Sequence, residues 1–469
     1  MRLQKFMSLL LSCIMLCLSF QANCLSIYAE ALSAAEPTTD SDGTQAWNKS
    51  LGTDAYPQFS GKAVSYISEQ GEEVYSNTNI SCNNHSYVNG ICKTCGEYEV
   101  PTLENGTYQL SNYGELVWFQ QYVDADNTGA NAVLTADITA NKNLLKEDGS
   151  VSDVPVYKWT PIGRDLKLYY TGTFDGNGHI ISGLYSYYTD VYCGLFAKMK
   201  GTIKNLGIVD SYFGGKDCYN AASFAGIGYL NSVIENCFSD SSVVGYAYCG
   251  GIAGETYGKI SNCYYIGKIT ADSTDSNAIS SDKYNYGALE NCYYLESCGL
   301  STTRAVGKTA EQFASGDVCY ILKSSENNLV WGQNLSSEGS MPVLTSDEEL
   351  RVYRVTTVKD DASSSYYSNS SCTLPADDTG YWIDENGKVL YSPAKITKDT
   401  TITFKQFVSV LGDVNQNGKV EKADAAAVLR HVSGISLISD EAELLLADVN
   451  RDGNVDVRDA VEIIKKAAA

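Results

Sequence analysis

The sequence predicts a mainly β chain: a right-handed, β-helix-like solenoid, then a small all-β module, then a short α-helical domain at the C-terminal end. Three observations predict it. Asn-centred phrases recur 31, 26 and 29 residues apart through the middle of the chain. Short strands at such a period, with glycine corners, are what stacked β coils write into a sequence. Apolar–polar alternation replaces the period from Arg351 to Phe407, as half-buried strands require. A loop-plus-helix unit is then written twice, 35 residues apart, between Gly412 and Ala469.

At 469 residues the chain has room for two to four domains. Acidic residues outnumber basic ones 56 to 34, a formal net charge of −22. A surface of that sign repels phosphate backbones and argues against nucleic acid as a partner. Arg2 and Lys5 precede an apolar run from Phe6 to Phe20 and small residues around Ala29-Glu30-Ala31, which reads as a signal peptide over residues 1–31. The run is short for a transmembrane segment and no later stretch qualifies, so the expected address is secreted and extracellular. Three of the 15 cysteines fall in this leader.

Residues 32–100 form an N-terminal segment. Ser33–Thr44 is small, polar and linker-like. Trp47, Leu51, Pro57, Phe59 and Val64 form a phrase that returns as Trp331, Leu335, Pro342, Leu344 and Val352, and reads as a closing element used twice. Cys82, His85, Cys92 and Cys95 follow, the last two as Cys-x-x-Cys-Gly. Four such donors suit structural zinc, with all positions taken by protein; a disulfide or a pair of thiols is the alternative. So polar a stretch lacks a hydrophobic core, and a metal would supply its stability.

Residues 101–345 carry the solenoid. Gly114–Val123 reads as a helix and Ala132–Ile138 as strand. Thr171–Leu184, with Phe174-Asp175-Gly176-Asn177-Gly178-His179, opens the repeats. Glycine-led apolar phrases (Gly194–Ala197, Ser223–Gly226, Gly250–Gly254) alternate with Ile203–Leu206, Ile234–Phe238, Ile260–Tyr264 and Leu289–Tyr293. Cys237, Cys263 and Cys292 share one repeat position and are expected to point inward as small hydrophobes, with Asn236, Asn262 and Asn291 as an amide ladder beside them. These phrases resemble the GLUG repeats of bacterial surface proteins. Residues 346–409 alternate as strands around an Asp384–Lys388 turn and are expected to form a small β-sandwich or β-grasp-like spacer.

Residues 410–469 contain the duplicated unit. In the first copy Asp413, Asn415, Asn417, Glu421 and Asp424 place side-chain oxygens at loop positions 1, 3, 5, 9 and 12, with the Lys419 carbonyl at 7. Asp448, Asn450, Asp452, Asp456 and Asp459, with Asn454 at 7, repeat the set. Glycine at position 6 permits the sharp turn, and the donors form an oxygen cage suited to calcium. Position 12 is Asp rather than the usual Glu, and Phe407–Leu411 reads as strand where an EF-hand has its entering helix. Two loop–helix units without entering helices resemble a type I dockerin, the module that plugs secreted proteins into cohesin modules of a scaffoldin. The resemblance implies two calcium ions and a cohesin contact at Lys422, Ala423, Val457 and Arg458, with Arg430 and Lys465 adding from the helices.

The function expected is a secreted cellulosome-type component that docks by calcium-dependent cohesin binding and displays a solenoid for adhesion or carbohydrate binding in polysaccharide breakdown. Cell-surface attachment would run through the scaffoldin. Only three histidines exist, and neither a nucleophile elbow, a His-Glu-x-x-His helix nor a phosphate loop appears, so the sequence leans away from an enzyme. The alternatives are a β-helix lyase or glycoside hydrolase cutting O-glycosidic bonds, because dockerins tow such enzymes, and a pure spacer or adhesin. The 34 tyrosines bear on the choice. Aromatics aligned on one face would favour glycan binding, and a dispersed pattern the spacer.

Overall fold

The computed structural model describes residues 65–67, 73–75, 84–152, 155–164, 167, 169–189, 191–281, 286–322 and 330–468. The expected signal peptide, the linker, the Trp47–Val64 phrase and Cys82 lie outside the described residues. Two compact units divide between Glu99 and Val100.

In the first unit Ser65–Ile67 pairs antiparallel with Glu73–Tyr75, and Tyr87–Val88 with Ile91–Cys92. The second hairpin turns on Asn89 and Gly90, at φ 48° and 75°. A two-residue hairpin loop of this hand needs positive φ at both positions, and Asn-Gly tolerates it best.

The second unit opens with the antiparallel pair Thr102–Glu104 and Thr107–Leu110, followed by the helix Tyr113–Asp124, N-capped by Asn112, whose side chain accepts from the Glu115 amide at 2.9 Å. Phe119 of this helix packs its ring against Phe174 and Tyr170 and covers the first coil. Parallel strands then stack as a β-solenoid of about four turns. One column runs through Thr173–Asp175, Thr202–Val209, Val233–Ser239, Lys259–Ser261 and Ala288–Glu290, with Ile203, Ile234, Ile260 and Leu289 in register. Tyr185–Ser186, Tyr212–Gly214, Ser242–Gly245 and Lys268–Ala271 form a second, and Phe196–Met199, Ala225–Gly228 and Ala253–Thr256 a third.

The Asn residues turn each coil. Asn205, Asn236, Asn262 and Asn291 all sit near φ 50°, a left-handed conformation that Asn tolerates better than other side-chain-bearing residues. The amide ladder is broken, however. Asn236 donates to Asn205 at 3.1 Å and Asn291 to Asn262 at 2.7 Å, but the buried Asn236 Oδ1 has no hydrogen-bond partner. The interruption falls at the shortest spacing, where the continuous strand Val233–Ser239 gives way to two pieces, Lys259–Ser261 and Tyr264–Tyr265.

Beyond the corner, alternation resumes. Cys237, Cys263 and Cys292 are buried, and burial holds the Cys263 and Cys292 thiols well above their ordinary range. Tyr264 and Tyr265 are both buried. Tyr265 lies over Gly251 and donates to the Ser241 carbonyl at 2.6 Å. Phe238, Tyr264 and Tyr293 join a core under Trp331, Phe313, Leu322, Leu344 and Val352. The closing phrase thus caps the solenoid's flank, with helices Ala310–Ala314 and Asp317–Leu322 and the antiparallel pair Val330–Gly332 and Val343–Thr345.

A five-stranded sheet follows, ordered Ala362–Ser368, Tyr353–Lys359, Thr400–Gln406, Gly380–Ile383 and Val389–Leu390. Its core comprises Val355, Cys372, Leu374, Trp382, Ala394, Ile396, Ile402 and Phe404. The last strand stops at Gln406, so Phe407–Leu411 is a bend and not the expected strand. Three helices complete the chain: Lys422–Val432, Glu441–Ala447 and Val457–Ala468. The middle one was not foreseen, although Asp440 caps it by accepting from the Glu443 amide.

Candidate calcium and partner-binding site

The two loops of the C-terminal unit fold alike, bond for bond. Asp413 accepts from the amides of Asn417 at 3.0 Å and Gly418 at 2.7 Å, and Asp448 from Asp452 at 3.2 Å and Gly453 at 2.9 Å. Asp424 accepts from Asn415 at 3.1 Å and Glu421 at 2.9 Å, and Asp459 from Asn450 at 3.1 Å and Asp456 at 2.9 Å. Positions 1 and 12 therefore staple each loop to its own backbone. Gly418 and Gly453 both stand at φ 86°, a turn that would strain any side chain.

Asp413, Asp424 and Asp459 are 0% exposed and Asp448 is 4% exposed. None of the four takes part in an ion pair among the described residues. Carboxylates buried without countercharge are costly. Burial, with the Asp459 and Asp452 charges behind it, pushes the Asp448 carboxyl above its ordinary range, against the Gly453 and Asp452 amides that favour its charged form. An oxygen-rich donor set with buried negative charge fits a calcium ion at each loop. Residues 411–466 match the dockerin type I domain. The C-terminal unit is a dockerin.

Dockerin type I domains as a family bind calcium and dock onto cohesin modules. The comparison with curated proteins found no match. A crystal structure from Bacteroides ovatus, described provisionally as an immunoglobulin A1 protease, aligns at 21% identity over 54% of this chain and 96% of its own, with a TM-score of 0.35.

The dockerin core is small: Val414, Ala425, Val428, Ala447, Ala460 and Ile463, flanked by Val420 and Val455 from position 8 of each loop. The opposite helix faces are exposed. Lys422, Ala423, Arg430, Val457, Arg458 and Lys465 all lie on the surface. Leu429, Val432, Val461 and Ile464 are also exposed, and the sequence reading gave none of them a partner role. Leu429 and Ile464 are equivalent in the two copies, a pairing visible in the register. Arg458 differs from its counterparts. Its guanidinium bonds Asp456 at 2.6 Å and Asp452 at 2.5 Å, two carboxylates of its own loop.

Elsewhere, His179, His431 and several carboxylates of the solenoid have structural work. His179 Nδ1 meets Asp137 at 3.1 Å, and Asp137 also accepts from the Ile180 amide. Asp175 accepts from the Asn177 amide and from Asn205. The Nδ1 of His431 accepts from the Ile438 amide at 3.0 Å. Asp210 and Asp240 line a trough of about 410 Å³ beside Lys146 and Lys268. Both Asp210 oxygens are occupied by the Leu144 and Leu145 amides, and Asp240 receives the Asp210 amide at 2.7 Å. Both carboxylates tie adjacent coils together.

The tyrosines do align. Tyr169, Tyr229, Tyr257 and Tyr286 form a column, with centroid separations of 4.8, 6.3 and 5.7 Å. The last three are parallel-stacked, so Tyr257 spends its ring faces on its neighbours while the 71%-exposed Tyr286 ends the column.

In the first unit His85, Cys92 and Cys95 bring candidate donor atoms within 4.8 Å of one another. Burial raises the Cys92 thiol, but amides of Cys95, Thr94 and Ser86 and the His85 side chain outweigh it and lower it to about 5. Cys82, the fourth expected donor, lies outside the described residues.

Proposed function

We propose that this chain is an exported, cellulosome-type component. Its dockerin takes two calcium ions, docks onto a cohesin of a scaffoldin, and presents the solenoid to polysaccharide. The observation that carries the docking reading is the duplicated set of buried, unpaired carboxylates beneath exposed helix faces that mix apolar and basic residues. Asp413, Asn415, Asn417, Glu421 and Asp424 would hold one ion with the Lys419 carbonyl. Asp448, Asn450, Asp452, Asp456 and Asp459 would hold the other with the Asn454 carbonyl. Calcium would neutralise these carboxylates and fix the loops, and the loops set the pitch of the helices Lys422–Val432 and Val457–Ala468.

The partner face is then Lys422, Ala423, Leu429 and Arg430 from one copy and Val457, Arg458, Ile464 and Lys465 from the other. Apolar centres with a charged rim are how transient interfaces are built. Replacing Leu429 and Ile464 by Asp together is expected to weaken cohesin binding at least about 100-fold, since two central apolar contacts are each worth ~1–2 kcal/mol or more. Calcium stoichiometry should stay unchanged by calorimetry. Cohesin affinity equal to that of the parent would sink the docking reading. Polysaccharide contact is supported by the aligned tyrosine column and by the solvent exposure of Tyr286 within it. Retention of the full chain on insoluble polysaccharide, lost on changing Tyr229, Tyr257 and Tyr286 to Ala, is the outcome this reading requires.

A further inference from the structure

We infer that His85, Cys92 and Cys95 form a structural site for a thiophilic divalent cation, zinc by chemistry, independent of the dockerin and its calcium. Three features of the hairpin carry the inference. His85 Nδ1 lies 3.4 Å from the Cys95 sulfur, and the Cys92 sulfur completes a group spanning no more than 4.8 Å. A tetrahedral ion with bonds of ~2.0–2.3 Å to nitrogen and sulfur has donor–donor edges of roughly 3.3–3.8 Å, so small side-chain movements bring all three onto one ion. The donors also match the metal: thiolate and imidazole together select zinc over calcium or magnesium.

The second feature is Glu97. Its carboxylate stands 3.5 Å from His85 Nε2, on the ring nitrogen that faces away from the sulfurs. A proton held at Nε2 for Glu97 leaves the Nδ1 lone pair directed at the cysteines. A carboxylate behind a ligating imidazole fixes tautomer and orientation in this way in metal sites generally. Tyr87 stacks on the imidazole at 5.5 Å and 15° and holds the ring plane.

The third is the backbone. Cys92 is fully buried while His85 stays open to solvent. The Gly96 amide bonds the Cys92 carbonyl and the Cys92 amide bonds the Glu97 carbonyl, both at 2.9 Å. These bonds fold Cys92–Glu97 into a tight knuckle with both cysteines on it. Among the described side chains of this unit, Ile91 and Cys92 alone are buried hydrophobics. So little apolar burial does not hold a hairpin in water, and a metal would.

Cobalt(II) is the probe. The full chain, reduced and saturated with calcium, is titrated with Co²⁺ and read for thiolate-to-cobalt charge transfer and the intense visible bands of a four-coordinate ion. One equivalent with both signatures, displaced by zinc, is expected. Cys92→Ser combined with Cys95→Ser should abolish the charge transfer. Glu97→Gln, which leaves every ligand in place, should weaken the metal about 10–100-fold. Absence of charge transfer in the parent chain would overturn the proposal, as would a Cys92–Cys95 disulfide in protein isolated under zinc without oxidant. Unaltered affinity in Glu97→Gln would remove the positioning role. Cohesin binding is not a readout, so this test and the docking test fail separately.

Discussion

At the scale of single residues, the duplicated acidic loops are the most legible part of this chain, because loop position alone dictates which side chains could reach a bound ion. The expected ligand positions 1 and 12 make equivalent amide bonds in the two copies, down to the paired amides on Asp413 and Asp448. Arg458 was legible only by position. Its expected role is partner contact, yet its guanidinium is bonded to Asp452 and Asp456, and it depresses the Asp456 carboxyl first through that hydrogen bond. Copy one has Lys422 and Ala423 at the equivalent positions and no such bond among the described residues. A cation at the mouth of a cation site competes with the ligand it adjoins. Arg458→Gln is therefore expected to tighten calcium several-fold at the second loop and leave the first unchanged. Calorimetric titration of the two sites checks it, and equal shifts at both loops would contradict the local explanation.

At the scale of elements, the solenoid was legible through its period and its left-handed Asn corners, but the element covering its flank was not. Trp331, Pro342 and Leu344 announced a closing phrase, while nothing local in the sequence says that it closes over Phe238, Tyr264 and Tyr293. That contact spans 78 residues from Tyr264 to the Pro342 carbonyl, where the phenol donates at 2.5 Å. Gln333 locks the cover from beneath, donating to the Phe313 and Ser340 carbonyls at 2.8 and 2.6 Å. Alternation says which face a side chain takes, but not what lies against that face. Trp331→Ala opens a cavity in this cover and is expected to cost about 3–5 kcal/mol. The loss should show in denaturant unfolding of the solenoid, with a rise in tyrosine accessibility and no change in calcium binding. The helix Glu441–Ala447 escaped for another reason: at seven residues it is too short to display a period.

At the scale of the whole molecule, the chain from Val100 onward holds separate cores in series. The dockerin core of Val414, Val428, Ala460 and Ile463 shares no residue with the sheet core around Val355 and Trp382, or with the flank core around Trp331. The dockerin meets the preceding sheet only at its second loop in the contacts described. Arg451 reaches Asp378 at 3.5 Å and lies 5.8 Å from the Phe407 ring, and Tyr391 sits against Gly453. An exposed ion pair of that kind contributes little. Cooperative unfolding should therefore divide at this junction. Calcium at 100 times its dissociation constant adds about 2.7 kcal/mol per site to whatever it folds, a large share of what so small a core can supply. Chelation with EDTA is accordingly expected to abolish one calorimetric transition, the dockerin's, and to leave the sheet and solenoid transitions within a degree or two. Lowering the pH should partly restore the calcium-free dockerin. Asp448 takes up its proton above the ordinary carboxylate range when folded, so between that raised value and the unfolded value the folded form gains stability as pH falls. If every transition collapsed together on chelation, the junction at Arg451 and Tyr391 would have to couple the modules far more strongly than one ion pair and two aromatic contacts permit.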